Sequence, residues 1–246
     1  MNSLHGKVAL VTGGSRGIGA ATALRLARDG ADVALSYQQD KGQAERVAGG
    51  IEELGRRAWT VRADMAEATD VTAMVDGAVA ELGRLDILVN NAGLGVLGPV
   101  EELPLADVDR VFAVNVRGAY LAAQAAARHL ADGGRLIHIG SCVTQRVPFP
   151  GASLYAASKS ALTGLSKALA RELAARGTTS NVVHPGPIDT DMNPADGPDA
   201  AAQRGFTALG RHGQPDEIAA TVAHLAGDGG RYVTGASIAV DGGHAA

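Results

Sequence analysis

Short runs of β-branched and aliphatic residues alternate along the chain with longer alanine-rich stretches whose apolar residues recur at helical spacing. Seven such runs predict strands at Val8 to Thr12, Asp32 to Ser36, Ala58 to Arg62, Ile87 to Asn90, Arg135 to Ile139, Thr179 to His184 and Ser237 to Val240. The periodic stretches predict six major helices, at Ile18 to Arg28, Gln43 to Leu54, Ala68 to Glu81, Ala106 to His129, Leu154 to Ala175 and Asp216 to Ala226. Such alternation points to an α/β fold of βαβ units around a parallel sheet covered on both faces. Gly30, Gly55, Gly83 and Gly177 each follow a predicted helix, where a residue able to take positive φ closes the last turn. Pro185 to Gly213 departs from the pattern. Rich in Pro, Gly and Asp and long for a plain connection, it is predicted to be a binding loop, with a lid at about residues 187–213.

Composition narrows the reading. The 246 residues are 46% hydrophobic, enough for a substantial core, so a single α/β domain spanning 1–246 is expected. A net charge of −4 without a basic block excludes a nucleic acid polymer as the expected partner. Cys142 is the only cysteine, which rules out an intrachain disulfide and a multi-cysteine zinc site and suits a reducing compartment. The histidines show no paired spacing and no surrounding carboxylate cluster, so no metal is expected. Met1 to Lys7 is short and polar and runs directly into a strand, leaving no room for a secretory leader. No apolar run reaches the ~18 residues of a membrane helix. A cytoplasmic protein with no membrane partner is expected.

Chemistry enters at Thr12-Gly13-Gly14-Ser15-Arg16-Gly17-Ile18-Gly19, between the first strand and the first helix. There a dinucleotide pyrophosphate would meet free backbone N–H groups and the positive helix end, although the spacing G-x-x-x-G-x-G departs from the common G-x-G-x-x-G. An NAD enzyme usually places an Asp or Glu against the ribose at the end of the second strand, and here Ser36 and Tyr37 stand instead. Ser36 is able to hydrogen-bond a 2′-phosphate, with Arg16 supplying charge and Lys41 assisting. Asp40, several residues on, is read as a solvated turn residue. NADPH/NADP is therefore expected in preference to NADH. Tyr155 and Lys159, four residues apart on a predicted helix, stack a phenol above an ammonium. A free phenol titrates near pH ~10, and a neighbouring cation is expected to lower that value.

With these motifs in order, the chain resembles the short-chain dehydrogenase/reductase family over essentially its whole length. Thr12 to Gly19 resembles the family's cofactor turn, in which Gly13, Ser15, Arg16, Gly17, Ile18 and Gly19 would meet the cofactor. Asp64, with Met65, resembles the position beside the adenine, and Asn90-Asn91-Ala92-Gly93 matches its N-N-A-G segment. Pro185, Gly186, Ile188 and Thr190 resemble the segment that grips the nicotinamide carboxamide. Asn115, Ser141, Tyr155 and Lys159 match the catalytic tetrad. The resemblance implies a Rossmann fold, a doubly wound seven-stranded parallel sheet in the order 3-2-1-4-5-6-7, reduction of a carbonyl substrate, and a homotetramer built from the long helices and the C-terminal segment. In the tetrad it implies, Tyr155 gives the proton, Ser141 orients the carbonyl, Lys159 lowers the Tyr155 pKa and binds the nicotinamide ribose, and Asn115 holds a water linking Lys159 to solvent.

Two subgroups are nearest. The whole-chain pattern is similar to 3-oxoacyl-carrier-protein reductases and related ketone reductases. Pro185 to Pro194, with Arg211-His212-Gly213-Gln214-Pro215, resembles bacterial biofilm-dispersal proteins described as binding cyclic di-GMP, which leaves a nucleotide-binding regulator as the alternative. Ser141 and Tyr155 are one residue further apart than is common in the family, which predicts a bulge within Val147 to Gly151. Ser153 is expected to cap its helix, Cys142 to be a small buried hydrophobe, and His138 and His184 to be structural. The substrate pocket is expected from Leu94 to Leu97, Val143 to Phe149, and Met192, Pro194 and Phe206. Leu94, Val143, Phe149 and Met192 make it apolar, suited to a neutral ketone, with Arg146 as a cation at the rim.

Overall fold

Every residue of the first strand, β1 (Val8–Val11), is buried, because successive side chains feed two different cores. Val8 and Leu10 enter one, Ala9 and Val11 the other, as the two-residue period of a strand requires. The computed structural model describes residues 4–246, so the first three residues of the polar segment Met1 to Lys7 lie outside the described residues. After β1 come α1 (Gly17–Arg28), β2 (Asp32–Tyr37), α2 (Lys41–Glu53), β3 (Ala58–Arg62), α3 (Ala68–Leu82), β4 (Leu85–Asn90), α4 (Leu105–Phe112) and α5 (Ala119–His129). The chain continues with β5 (Leu130–Ile139), α6 (Ser153–Glu172), β6 (Thr179–Pro185), α7 (Ala200–Gly205), α8 (Pro215–Ala226) and β7 (Ser237–Val240).

All seven strands are parallel, in the order β3-β2-β1-β4-β5-β6-β7. This is a doubly wound Rossmann sheet. One core packs Leu26 of α1, Ile51 of α2 and Ile218 and Val222 of α8 against Val11, Leu35, Ile87 and Val89. The opposite core packs Met74 and Val75 of α3 and Ala122 and Ala126 of α5 against Leu10, Leu88 and Leu136. The strand order reverses between β1 and β4, so the connections leaving their C-terminal ends diverge and open a crevice there. Among the described residues no helix is long and apolar enough to cross a membrane.

Several boundaries differ from the sequence reading. The predicted helix Ala106 to His129 is interrupted by a π-helical turn, Ala113–Gly118, between α4 and α5. Gly118 lies so close to the Met65 carbonyl that a Cβ would collide with it, and the wider turn brings Asn115 inward. β5 begins at Leu130, well before the predicted Arg135, with a register irregularity: Leu85 pairs with Leu130, and Ile87 with Arg135. A short helix, α7, forms inside the predicted loop. Ser153 does not cap α6, because Ala152 holds the N-cap position and makes no side-chain hydrogen bond. Gly30, Gly55, Gly83 and Gly177 all take positive φ at their helix ends.

Candidate active site

The turn between β1 and α1 contains two left-handed glycines, Gly13 (φ 63°) and Gly17 (φ 52°), a conformation that costs other residues energy. Gly19 answers to a different constraint: a Cβ there would run into the Gly13 carbonyl and lie 2.6 Å from Asn91 Nδ2. The turn is fastened to the end of β4. Thr12 Oγ1 accepts from the N–H groups of Asn91 and Ala92, both at 3.0 Å, and Asn91 Nδ2 donates to the carbonyls of Thr12 (2.9 Å) and Gly13 (3.0 Å). From β2, Ser36 Oγ accepts from the Gly13 N–H at 3.1 Å. The first turn of α1 holds no acidic residue and its cap, Arg16, supplies no side-chain acceptor. Its leading N–H groups are thus left for an anion.

Beyond Ser36, the Asp40 carboxylate accepts from the Gln43 N–H (2.8 Å) and so caps α2. Asp64 is engaged by Arg110 (2.9 Å) and Gln38 (3.0 Å) and accepts from the Ala66 N–H (2.9 Å). Burial works against the charged form, but these hydrogen bonds outweigh it and hold the carboxyl below its ordinary pKa.

Ser141 follows β5, and Tyr155 and Lys159 stand one turn apart on α6. Lys159 is only 4% exposed. Its Nζ donates to the Ile139 carbonyl at 2.9 Å, and burial, which disfavours an ammonium, brings its pKa down to about 8. The Tyr155 phenol is pushed above its ordinary value, chiefly by burial, with a hydrogen bond from Ser141 opposing that shift. Asn115 grips Leu94 from both sides: Oδ1 accepts from its N–H (2.7 Å) and Nδ2 donates to its carbonyl (2.9 Å). The same Nδ2 donates to Ser158 Oγ (2.9 Å), which donates to the Tyr155 carbonyl (2.8 Å). Gly93 leaves the room for this arrangement, since a Cβ there would sit 2.9 Å from Lys159 Nζ and 3.3 Å from Asn115 Oδ1.

One cavity of about 620 Å³ joins these groups. Gly13, Ser15, Arg16, Gly17, Ile18, Gly19 and Ser36 line it at one end, with Asp64 and Met65 beside them. Asn91, Ala92, Gly93, Ser141, Tyr155 and Lys159 line it too, as do Pro185, Gly186, Ile188 and Thr190. The apolar residues Leu94, Leu97, Val143, Phe149, Met192 and Phe206 also line it. Asn115 is not part of the lining and lies behind it, bonded to Leu94 and Ser158.

The family described as Enoyl-(Acyl carrier protein) reductase matches residues 13–245. A short chain dehydrogenase from Burkholderia cenocepacia J2315, in complex with NADP, is 53% identical with a TM-score of 0.98, covering 99% of this chain and 100% of that one. The chain belongs to the short-chain dehydrogenase/reductase family. It is 46% identical over 242 residues to the cyclic-di-GMP-binding biofilm dispersal mediator protein of Escherichia coli (strain K12), covering 98% of each. It is also 38% identical over 255 residues to the tetrahydroxynaphthalene reductase of Pyricularia oryzae, covering 98% of this chain and 90% of that protein.

Within this short-chain dehydrogenase/reductase, some expectations need correction. The ammonium of Lys159 was expected to lower the Tyr155 pKa; burial of the phenol instead raises it, and Lys159 Nζ is directed at Ile139. Both amide hydrogens of Asn115 are committed to Leu94 and Ser158, so its side chain could meet the expected water only as an acceptor. Arg146 is no rim cation: it donates to the His244 carbonyl (2.8 Å) and does not line the cavity. Lys41 is paired with Glu45 (3.2 Å) and also lies off the lining, as does Pro194. The segment ahead of α6 is irregular: Gly151 takes φ 86° and its carbonyl accepts from the Gly98 N–H (2.9 Å).

His138 is fully buried and within 3.2 Å of Asn90 Nδ2, and burial lowers its pKa to about 4. His184 Nδ1 lies 3.0 Å from the Ser141 carbonyl, behind the site. Cys142 is buried, and burial pushes its thiol up to about 11. Sequence reasoning missed Ser158, Gln203 and His244. Ser158 carries no local signal, being one of several hydroxyls on α6. Asp241-Gly242-Gly243 is a turn signal that could have shown the tail folding back, but nothing in it names the surface it meets.

Proposed function

We propose that this short-chain dehydrogenase/reductase is an NADPH-dependent ketone reductase, with Tyr155 as the proton donor. The observation that carries the reading is the meeting of Ser141, Tyr155 and Lys159 on a cavity whose other end presents Ser36 and Arg16 where an NAD enzyme has a carboxylate. The nicotinamide cofactor, when bound, supplies the hydride. The glycine turn and the start of α1 bind its pyrophosphate, and Pro185, Gly186, Ile188 and Thr190 hold its carboxamide end. Lys159 binds the ribose hydroxyls with an ammonium kept dry by its surroundings. Ser141 and Tyr155 donate to the carbonyl oxygen, and Tyr155 transfers its proton as negative charge develops there. A phenol with a raised pKa is fully protonated at neutral pH, as a donor must be. The NADP complex of the Burkholderia relative supports the cofactor, and the name of the Pyricularia relative supports reduction as the reaction.

Loss of NADPH absorbance with a panel of cyclic ketones and β-ketoesters tests the activity; a panel that yields no turnover would sink it. For the cofactor, Arg16→Ala is expected to weaken NADPH binding by about tenfold, the worth of one charge-assisted hydrogen bond, with NADH binding unchanged. Fluorescence titration with both nucleotides measures this, and equal losses would refute the 2′-phosphate role.

The pH profile offers a separate check. The Lys159 pKa is lowered by burial, so the free protein carries the charged form below about pH 8 and loses it above. The kcat/KM for NADPH at saturating ketone, which reports free-protein groups, is accordingly expected to fall above about pH 8. A profile flat to pH 10 would contradict that assignment.

A second reading, binding of cyclic di-GMP, has support in the Escherichia coli relative. Arg211, in the segment that suggested it, is bound to Glu217 (2.7 and 2.8 Å) and offers little free charge to a dianion. Micromolar displacement of NADPH by cyclic di-GMP, with no ketone reduced, would favour the regulator. The exposed apolar side chains Leu105, Phe112 and Tyr120 on α4 and α5 support the homotetramer, and the unpaired Cys142 suits the cytoplasm.

A further inference from the structure

Three separate segments meet on one wall of the cavity: Phe149 ahead of α6, Phe206 just after α7, and His244 in the tail after β7. Phe149 and Phe206 stack with centroids 6.2 Å apart and planes 22° from parallel. The His244 ring meets Phe206 edge-on, at 6.2 Å and 88°. The tail is firmly held. Asp241 accepts from the N–H groups of Gly243 (2.9 Å) and Ala245 (3.0 Å), and Arg146 donates to the His244 carbonyl at 2.8 Å. These bonds fix the imidazole without using it.

His244 is 2% exposed, yet among the described residues neither ring nitrogen is hydrogen-bonded; Nδ1 is closed off from water, so Nε2 is the nitrogen left to meet a molecule in the cavity. Buried polar groups ordinarily find partners, so one without a partner calls for an explanation. Gln203, on the same wall, is already spent. It exchanges two hydrogen bonds with Asn193, each at 2.8 Å, and its Oε1 also faces His212 Nε2 at 3.0 Å. Burial and the charge of Arg146 favour the neutral imidazole over the opposing pull of Asp241. A neutral ring offers one donor and one acceptor, which matches an alcohol or a carbonyl equally well. The stacked phenyl rings beside it offer a flat apolar surface.

We propose that His244 is a specificity-determining residue that hydrogen-bonds a second oxygen, hydroxyl or keto, on a cyclic ketone whose ring lies against Phe149 and Phe206. The assignment rests on the ketone-reductase reading and names its substrate class. The test compares 1-tetralone with its monohydroxylated derivatives, in the wild type, His244→Ala and His244→Asn. Thermal melting and NADPH titration report the folding and cofactor binding of each variant. The wild type is expected to prefer at least one hydroxylated ketone by about tenfold in kcat/KM. His244→Ala should lose that preference, with a drop for the hydroxylated ketone about tenfold greater than the drop for 1-tetralone, and His244→Asn should recover part of it. No preference in the wild type, or equal losses on both ketones, would overturn the assignment and leave the reductase standing. If the wild type reduces none of these tetralones but turns over another ketone of the wider panel, this assignment falls alone; if it reduces no ketone at all, the reductase reading falls and takes this one with it. If both variants unfold, His244 is a packing residue and the proposal is wrong.

Discussion

Tyr155→Phe is expected to reduce ketones at about a thousandth of the wild-type kcat, the range a positioned general acid contributes. The cause is specific to one atom. The substitution keeps the ring that fills the wall of the cavity and removes only the hydroxyl, so the hydride donor and the substrate still meet. What is missing is the proton for the oxygen as it becomes an alkoxide. Ser141 remains to donate a hydrogen bond to that oxygen, which sets the residual rate, but its hydroxyl is far too weak an acid to complete the transfer. NADPH affinity should change by less than about threefold, because the lost group acts in the transition state rather than in ground-state binding. Stopped-flow traces of NADPH consumption separate the two quantities. A variant retaining a tenth of the activity would remove Tyr155 from the role of donor.

Gly19→Ala should weaken NADPH binding by about a hundredfold or more, equivalent to about 3 kcal/mol, and lower the melting temperature as well. A methyl group there has nowhere to go: the Gly13 carbonyl blocks it, and Asn91 Nδ2 lies 2.6 Å from its position. Accommodating it means moving backbone, since the first obstacle is a main-chain oxygen. It also disturbs the Asn91 amide, whose two hydrogen bonds set the shape of the turn. Overpacking of this kind typically costs about 1–3 kcal/mol in stability, and the misplaced N–H groups cost affinity in addition. Gly164→Ala makes a sound control. Its Cβ would meet nothing within 4 Å, and it lies within α6, where alanine is the better helix former. Calorimetry and fluorescence titration on both variants decide the matter; wild-type affinity in Gly19→Ala would show that the turn tolerates a side chain.

Much of this architecture is legible in the chain because it depends on neighbours in sequence. The strands from Val8, Asp32 and Thr179 start where the β-branched runs start, since each run is buried on both faces and needs no partner to identify it; the run from Ala58 also starts its strand, although this edge strand is only half-buried. The π turn at Asn115 is another matter. Shifting the hydrogen bonds by one residue over six positions barely alters the apolar period, so α4 and α5 read as one helix. The early part of β5 was hidden for a related reason: Asp132-Gly133-Gly134 has the composition of a turn, and only pairing to β4 makes it part of a strand. The Tyr155 pKa went the other way because spacing gives the distance to a charge along a helix, while the depth of burial depends on how the rest of the chain packs around α6. His244 was invisible for the same reason. A histidine two residues before Ala246, amid small residues, has no pattern to betray its destination.

The bonds between Thr12 and Asn91 bear on how such a protein diversifies. They fasten the ends of β1 and β4, so the nucleotide end of the cavity is tied into the central ladder of the sheet. Phe149, Phe206 and His244 belong to connections and a tail outside that ladder. Drift in those segments can reshape what the wall accepts while the strand ends keep their positions, and the two halves of the cavity are free to change at different rates.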